Sequence, residues 1–253
     1  RNKAGISPVK PLLDEMEAAK SKADLEKIQL KYAAQGYGVS FGGGFGADEK
    51  NVTMNIFQLS QGGLTLGQKD YYVNNDEATV AIREAFKKYI ADMFKLYGFS
   101  AEQAEEKAQA VFQHETMLAL ISKSATELRN PQANYNKMTL KEFQSSYPNL
   151  HLEEMCNAEG IKSEFIQDMI VGQPAFMEGL DKITAAESAA TLKALMEWDV
   201  ITSSAAYLTD EIRECNFDFF GKTMSGRKED YPLWKRAGNQ VQSLMGEPLG
   251  RMY

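Results

Sequence analysis

Cysteine and histidine are scarce in this chain of 253 residues, which carries only Cys156, Cys215, His114 and His151. Zinc fingers, ribbons and RING-type sites take four Cys or His ligands at short spacings, and two cysteines in distant segments cannot supply one. A disulfide between them stays open, although their different local settings favour free thiols. Long apolar runs are missing too: none approaches the roughly 18 to 20 residues that a membrane-spanning helix needs. Positive charge is in deficit, with 28 Lys and Arg against 35 Asp and Glu for a net charge of −7. The chain therefore lacks the basic field that captures phosphate backbones, and nucleic acid is not an expected partner. No Gly-x-Ser-x-Gly elbow, no phosphate-binding Gly-x-x-x-x-Gly-Lys-Ser/Thr loop, no internal repeat and no low-complexity tract occurs. The first residues, Arg1-Asn2-Lys3, include neither an initiator Met nor a charged-then-apolar leader. That is the expectation for a removed signal or for a start inside a longer protein.

What is present is ordinary globular material: 43% hydrophobic and 25% charged residues exclude a disordered or collagen-like chain. The pattern predicts a mainly α protein, a multi-helix array with one small β-hairpin or sheet near residues 39–59. Residues 12–19 have helical character, and Ser21 with Asp24 forms an N-terminal signal ahead of Leu25, Ile28, Leu30 and Tyr32. The glycine-rich stretch from Gly36 to Gly46 reads as a loop or strand edge. The best strand is 51–59, with Val52, Met54, Ile56 and Gln58 on one side, and it is expected to pair with 39–41. An ordered loop with buried anchors follows over 64–72. Apolar residues at intervals of three and four predict helices over 78–97 and 101–124, the second opened by a Ser100/Gln103 capping box. Residues 129–136 read as a loop, and Thr139 with Glu142 caps a short helix reaching Tyr147. Residues 149–160 carry the weakest pattern. Further helices are expected over 163–170, 173–182, 185–220 with a break near Ser203, and 231–245.

Few constellations hint at chemistry. Residues 42–47 fit the loose dinucleotide pattern Gly-x-Gly-x-x-Ala, but a strand follows them where the phosphate-binding helix should start. His114-Glu115 opens like the zinc motif His-Glu-x-x-His, yet position 118 is leucine, so the second imidazole one helical turn on is missing. The acidic residues at 102, 105, 106, 153 and 154 sit as solvated helix faces do. Asn51-Val52-Thr53 is a glycosylation sequon placed inside a strand, where chance is the simpler origin. Taken alone, these residues assign no catalytic, cofactor-binding or metal-ligating position and describe a helical scaffold.

Four stretches in order carry a resemblance. The first is Gly44-Phe-Gly-Ala-Asp48-Glu-Lys50-Asn51, then a strand, then Gln61-Gly-Gly-Leu64-Thr-Leu66-Gly-Gln-Lys-Asp70-Tyr71-Tyr72. The second is Arg129-Asn-Pro131 with Tyr135-Asn136-Lys137-Met138-Thr139-Leu140. The third is Leu195-Met196-Glu197-Trp198 with Phe219-Phe220-Gly221, and the fourth Trp234-Lys-Arg236 with Pro248-Leu249-Gly250-Arg251-Met252-Tyr253. Together they resemble the N-terminal half of the neprilysin-like zinc metalloendopeptidases, peptidase family M13, of which bacterial oligopeptidase O is a type. Thr65 and Gly67 replace the family's usual Gly and Pro. Ala237 stands where many relatives have a disulfide Cys, which favours a bacterial member.

The resemblance implies that residues 1–253 are the N-terminal portion of such a peptidase, mostly its helical cap domain, with the zinc-binding catalytic half absent from the chain. The cap would enclose the active-site cavity and limit substrate size. Zinc would belong to the longer protein and be bound by none of these residues, because the family's His-Glu-x-x-His, its later Glu and its Asn-Ala-x-Tyr substrate strand all lie downstream of this segment. An arginine that meets the substrate's C-terminus lies upstream. The implied partners are peptide substrates and the C-terminal catalytic half. The implied location is outside the cytoplasm: periplasmic, secreted or surface-anchored. If a catalytic half packs on these helices, the chain by itself should expose an apolar patch. A stand-alone helical binding module without peptidase activity is the alternative.

Overall fold

The computed structural model describes residues 3–252. Two short helices, α1 (Lys10–Ala18) and α2 (Lys22–Lys31), open the fold, and the Ser21 side chain caps the second by accepting the Asp24 N–H. A hairpin follows, β1 (Phe41–Asp48) and β2 (Asn51–Gln61), then the single turn α3 (Asp70–Val73). The two longest inner helices are α4 (Glu77–Leu96), capped by Asp76, and α5 (Ala101–Ile121), opened by the expected Ser100/Gln103 capping box. After them come α6 (Pro131–Asn134), β3 (Lys137–Thr139), α7 (Leu140–Ser146) with its Thr139/Glu142 capping box, α8 (Leu152–Ala158) and β4 (Asp168–Val171). The chain continues through α9 (Pro174–Ala186), α10 (Ala189–Ser204), α11 (Asp210–Asn216), a π-helical stretch Phe217–Met224, and α12 (Leu233–Met252). The fold is mainly α with one four-stranded sheet, ordered β1-β2-β4-β3.

Two apolar cores hold these elements. The larger joins α1, α2, α4, α5 and α10, with Phe86, Ile90, Met93, Phe94 and Met196 fully shielded from solvent. Aromatic packing organises its centre: Tyr89 stacks on Phe219 with ring centroids 4.8 Å apart, and Phe86 lies 5.5 Å from the same ring. The smaller core lies between the sheet and α7, α8 and α9, built on Phe57, Leu59, Phe143, Ile166, Met169 and Phe176. The π-helical stretch brings Gly221 against the Phe217 ring, so a Cβ there would fall well inside van der Waals contact. Gly221→Ala is expected to lower stability by about 1–3 kcal/mol through overpacking. A melting curve checks this, and an unchanged Tm would contradict it.

Several sequence expectations need correction. Residues 163–170 are not a helix: one 3-10 turn, Ser163–Phe165, precedes strand β4. That strand pairs in parallel with β2 and antiparallel with β3, so its Met169-Ile170-Val171 run is covered on both faces and shows no alternation. The glycine-rich segment is strand β1 itself, and β2 pairs along 41–48, from Phe41↔Gln61 to Asp48↔Asn51, rather than with 39–41. As an edge strand it tolerates glycines that a central strand would not. The alternation from Val52 to Gln58 does not mark one buried face, because Val52 and Met54 stand exposed on the outer half of the hairpin while Ile56, Phe57 and Leu59 are buried. The span 185–220 holds three helical pieces, restarted at the N-caps Ser188 and Thr209. The weakly patterned residues 149–160 include α8, and the loop 129–136 includes α6.

Candidate functional site

Helix α5 places His114 and Glu115 side by side, and both are buried. Consecutive helical residues point about 100° apart, so they serve different neighbours. The Glu115 carboxylate accepts the Thr65 N–H at 3.0 Å, the Thr65 hydroxyl at 2.7 Å and the Tyr72 hydroxyl. The Tyr72 oxygen in turn accepts the Leu66 N–H at 3.1 Å, and the Trp198 indole N–H reaches Thr65 Oγ1 at 3.3 Å. Burial pushes the Glu115 carboxyl above its ordinary range despite these donors. Burial, then the nearby Glu115 charge, holds the Tyr72 phenol well above the usual tyrosine value. The Leu64–Tyr72 segment is thus locked onto α5 by a buried hub, and Tyr72 is a structural donor.

His114 ties three segments together. Its Nε2 and Ser40 Oγ are hydrogen-bonded at 3.0 Å, and its Nδ1 lies 2.7 Å from Glu187 Oε1. The last two atoms are close but not aligned as a hydrogen bond. The order Ser40, His114, Glu187 superficially follows a hydrolase triad, whose base must be oriented by an aligned acid and whose oxyanion must meet free backbone donors. The first condition is not met, because the Glu187 contact is misaligned, and the nearby Gly38 N–H is committed to Asp199 Oδ2 at 2.6 Å. Cavities of about 290 and 230 Å³ flank this seam. His114 and His151 both line the larger one. Among the described residues, however, no three His, Cys, Asp or Glu side chains form a group that could hold a metal ion. The residues present therefore do not fit a zinc site.

The other residues weighed from sequence fall in separate places. Residues 42–47 lie in an antiparallel hairpin with no following helix, so the dinucleotide geometry is not built. Cys156 and Cys215 are both free thiols, each pushed up to about 11 by burial. Asn51 stands at the exposed start of β2, its side chain accepting the Thr53 hydroxyl at 2.8 Å. The motif segments do converge: the Tyr135 hydroxyl donates to Asp48 Oδ1 at 2.9 Å, the Lys50 N–H donates to the same oxygen at 2.9 Å, and Lys50 Nζ sits 4.1 Å from the Tyr135 ring centre. Asn136 closes the sheet by exchanging bonds with Val171, its O accepting the Val171 N–H at 2.8 Å and its Nδ2 donating to the Val171 carbonyl at 3.0 Å.

Sequence reasoning missed the buried ionic cluster on α10. Glu197 has no solvent exposure and meets Lys107 Nζ at 2.5 Å, while the same ammonium reaches Glu17 at 3.1 Å. An acid, Glu197, set directly between the apolar Leu195-Met196 and Trp198 on the buried side of α10 was the available signal.

The final helix presents the largest anomaly. None of the residues of α12 is buried, although it carries Leu233, Trp234, Val241, Leu244, Met245 and Met252. Trp234 is 75% and Leu244 74% exposed, and the spacing of 234, 241, 244 and 245 places them along one side of a helix. The helix kinks at Met245, three residues before Pro248. Here the apolar patch expected from the sequence stands open.

The profile of the N-terminal part of peptidase family M13 matches residues 1–253, the whole chain. The chain belongs to peptidase family M13. Human endothelin-converting enzyme 1 is 24% identical over 210 residues, covering 82% of this chain and 27% of the relative. Neprilysin-2 of Drosophila melanogaster is 27% identical over 205 residues, covering 80% and 26%. Among solved structures, the zinc metalloprotease Zmp1 of Mycobacterium tuberculosis bound to an inhibitor superposes with a TM-score of 0.92 at 25% identity, covering 99% of this chain and 38% of that one. PepO of Lactobacillus rhamnosis shares the fold with a TM-score of 0.76 at 18% identity, covering 100% of this chain and 40% of that one. The M13 chain thus spans about a quarter of the length of these curated relatives and two fifths of the solved ones. Its likeness to Zmp1 runs from end to end, so the seam around His114, Glu115 and Tyr72 belongs to an M13 scaffold.

Proposed function

We propose that this chain is the N-terminal, mostly helical cap of a zinc metalloendopeptidase that hydrolyses oligopeptides. In this reading it encloses the active-site cavity so that extended peptides enter and folded proteins do not. The carrying observation is the M13 match over all 253 residues together with the uncovered apolar side of α12. An exposed apolar helix face calls for a partner, and the relatives have about one and a half to two further chain lengths from which to supply one. Zinc and the catalytic groups come from that remainder, consistent with a segment whose buried polar residues are spent on internal ties. The resemblance also favours a location outside the cytoplasm.

The test compares this chain with the longer polypeptide. The chain supplied with excess zinc is expected to leave a ten-residue peptide intact. The longer polypeptide is expected to cleave the peptide and to spare a folded protein carrying the same sequence in an ordered region. Peptide hydrolysis by the chain alone that disappears in His114→Ala would contradict the assignment.

A further inference from the structure

Both histidines of the chain line one cavity of about 290 Å³. Its wall draws on both cores. Leu192 belongs to the larger, Leu150 and Leu180 belong to the smaller, and Leu30, Val39 and Met155 complete an apolar lining. Such a lining suits a hydrocarbon body. An apolar cavity of about 150 Å³ already takes up benzene, so this one has room for about eleven non-hydrogen atoms.

The polar groups of the wall are graded by depth. Lys27, His151 and Glu154 are exposed and stand at the mouth, whereas His114 is 3% exposed and the Glu187 side chain 6%. His114 Nδ1 and Glu187 Oε1 lie 2.7 Å apart without an aligned hydrogen bond. No hydrogen bond among the described residues reaches the Glu187 carboxylate. Lys22, the half-buried lysine of the wall, is already engaged by the Thr184 carbonyl at 2.5 Å. A buried carboxylate without a donor costs free energy, and native folds seldom keep one unless water, an ion or a ligand completes it. The mouth carries a second mark: His151 is the only non-glycine among the described residues with a positive φ, 47°. It precedes α8 and makes no side-chain capping bond that would offset the strain. Backbone strain of this kind is retained where binding or switching uses it.

The carboxylate fixes the polar end of the occupant. An ionised carboxylate only accepts hydrogen bonds, so the occupant must donate, and at an anion a charged donor gains more than a neutral one. A water molecule would meet the carboxylate alone and leave the apolar lining without contacts. An anion would face Glu187 with nothing to donate.

We propose that this cavity is a binding site for a small primary amine with an apolar body, its ammonium donating to the Glu187 carboxylate beside His114 and its body lying against leucines of both cores. The occupant would tie the seam between the two cores from within. The inference stands apart from the peptidase reading, since it uses only the cavity and its wall.

The probes are phenylbutylamine, phenylbutanol and phenylbutyrate, which share a body and differ in head group. Both cores that form the wall are built within this chain, so the chain itself is titrated by calorimetry. The amine is expected to bind saturably, to raise the Tm, and to bind about tenfold or more tightly than the alcohol. The acid should show no binding. Glu187→Gln keeps the volume and an acceptor while removing the charge. It should bring the affinity for the amine down to that for the alcohol and leave the alcohol unaffected. Ala23→Trp, at an exposed position of the wall, should keep the Tm of the empty chain and abolish binding of amine and alcohol alike. Equal affinities for amine and alcohol would overturn the proposal, as would amine binding untouched by Glu187→Gln or by Ala23→Trp. Absence of binding by all three probes would overturn it too, and would leave water as the occupant. Binding is read without turnover, so its failure leaves the peptidase assignment standing.

Discussion

Replacing Lys107 by methionine is expected to cost the fold about 3–5 kcal/mol at pH 8, the range for removing one partner of a buried ion pair. Glu197 is wholly shielded, and burial has already pushed its carboxyl up to about 7 even though the Lys107 charge pulls it down. Its Oε1 has no hydrogen-bond partner, so without the ammonium the carboxylate would be left beside the like-charged Glu17 with no cation to balance either. The long lysine stem also places its Nζ 4.7 Å from the centre of the Phe99 ring, and methionine keeps most of that packing while removing the charge. The loss should shrink at pH 5, where Glu197 is neutral and makes little demand on a cation. Adding Glu197→Gln should recover much of the stability at pH 8. Equal losses at pH 5 and pH 8 in urea titrations would show that packing, not charge, governs the site.

Asp199→Asn is expected to stabilise the protein above pH 7 by about 1–3 kcal/mol, discounted from the full shift because the residue is partly exposed. Its carboxyl, in the wall of the inner cavity, is pushed up to about 7 by burial, well above the ordinary aspartate range. The sign follows from which state binds the proton more tightly. Between about pH 4 and 7 the folded chain holds a proton at Asp199 that the unfolded chain has released, so stability falls as pH rises through this window and levels off above it. Glu197 adds a decline of the same sign. Asparagine keeps an acceptor for the Gly38 N–H and removes the charge, which should flatten the part of the profile due to Asp199. A variant whose stability still falls as steeply from pH 4 to pH 7 would contradict this.

Much of the scaffold was legible because local chemistry and tertiary packing agree. The capping boxes at Ser100 and Thr139 occur as read, and the three-and-four spacing from Phe86 to Phe94 marks the face that fills the larger core. Strand β4 escaped because a strand covered on both faces has no alternation to distinguish it from a buried helix. β1 escaped because five Gly or Ala residues in an eight-residue strand carry almost no strand preference, and its pairing with β2 decides the conformation. The ties of Glu115 to Tyr72 and of His114 to Ser40 and Glu187 link positions 43 to 74 residues apart. Only the fold reveals such contacts. Helix α12 was legible as a helix over 231–245, but that its apolar side stands uncovered was not.

The most direct test of the central claim is the denatured mass and zinc content of the native protein, captured from its source cells with an antibody raised against this chain. The chain's 28.3 kDa is about two fifths of the solved relatives' length. A polypeptide of about 75 kDa is therefore expected, with one zinc per chain and chelator-sensitive cleavage of a ten-residue peptide. A zinc-free species near 28 kDa that binds peptides without cleaving them would contradict the account and identify the chain as a free-standing helical module.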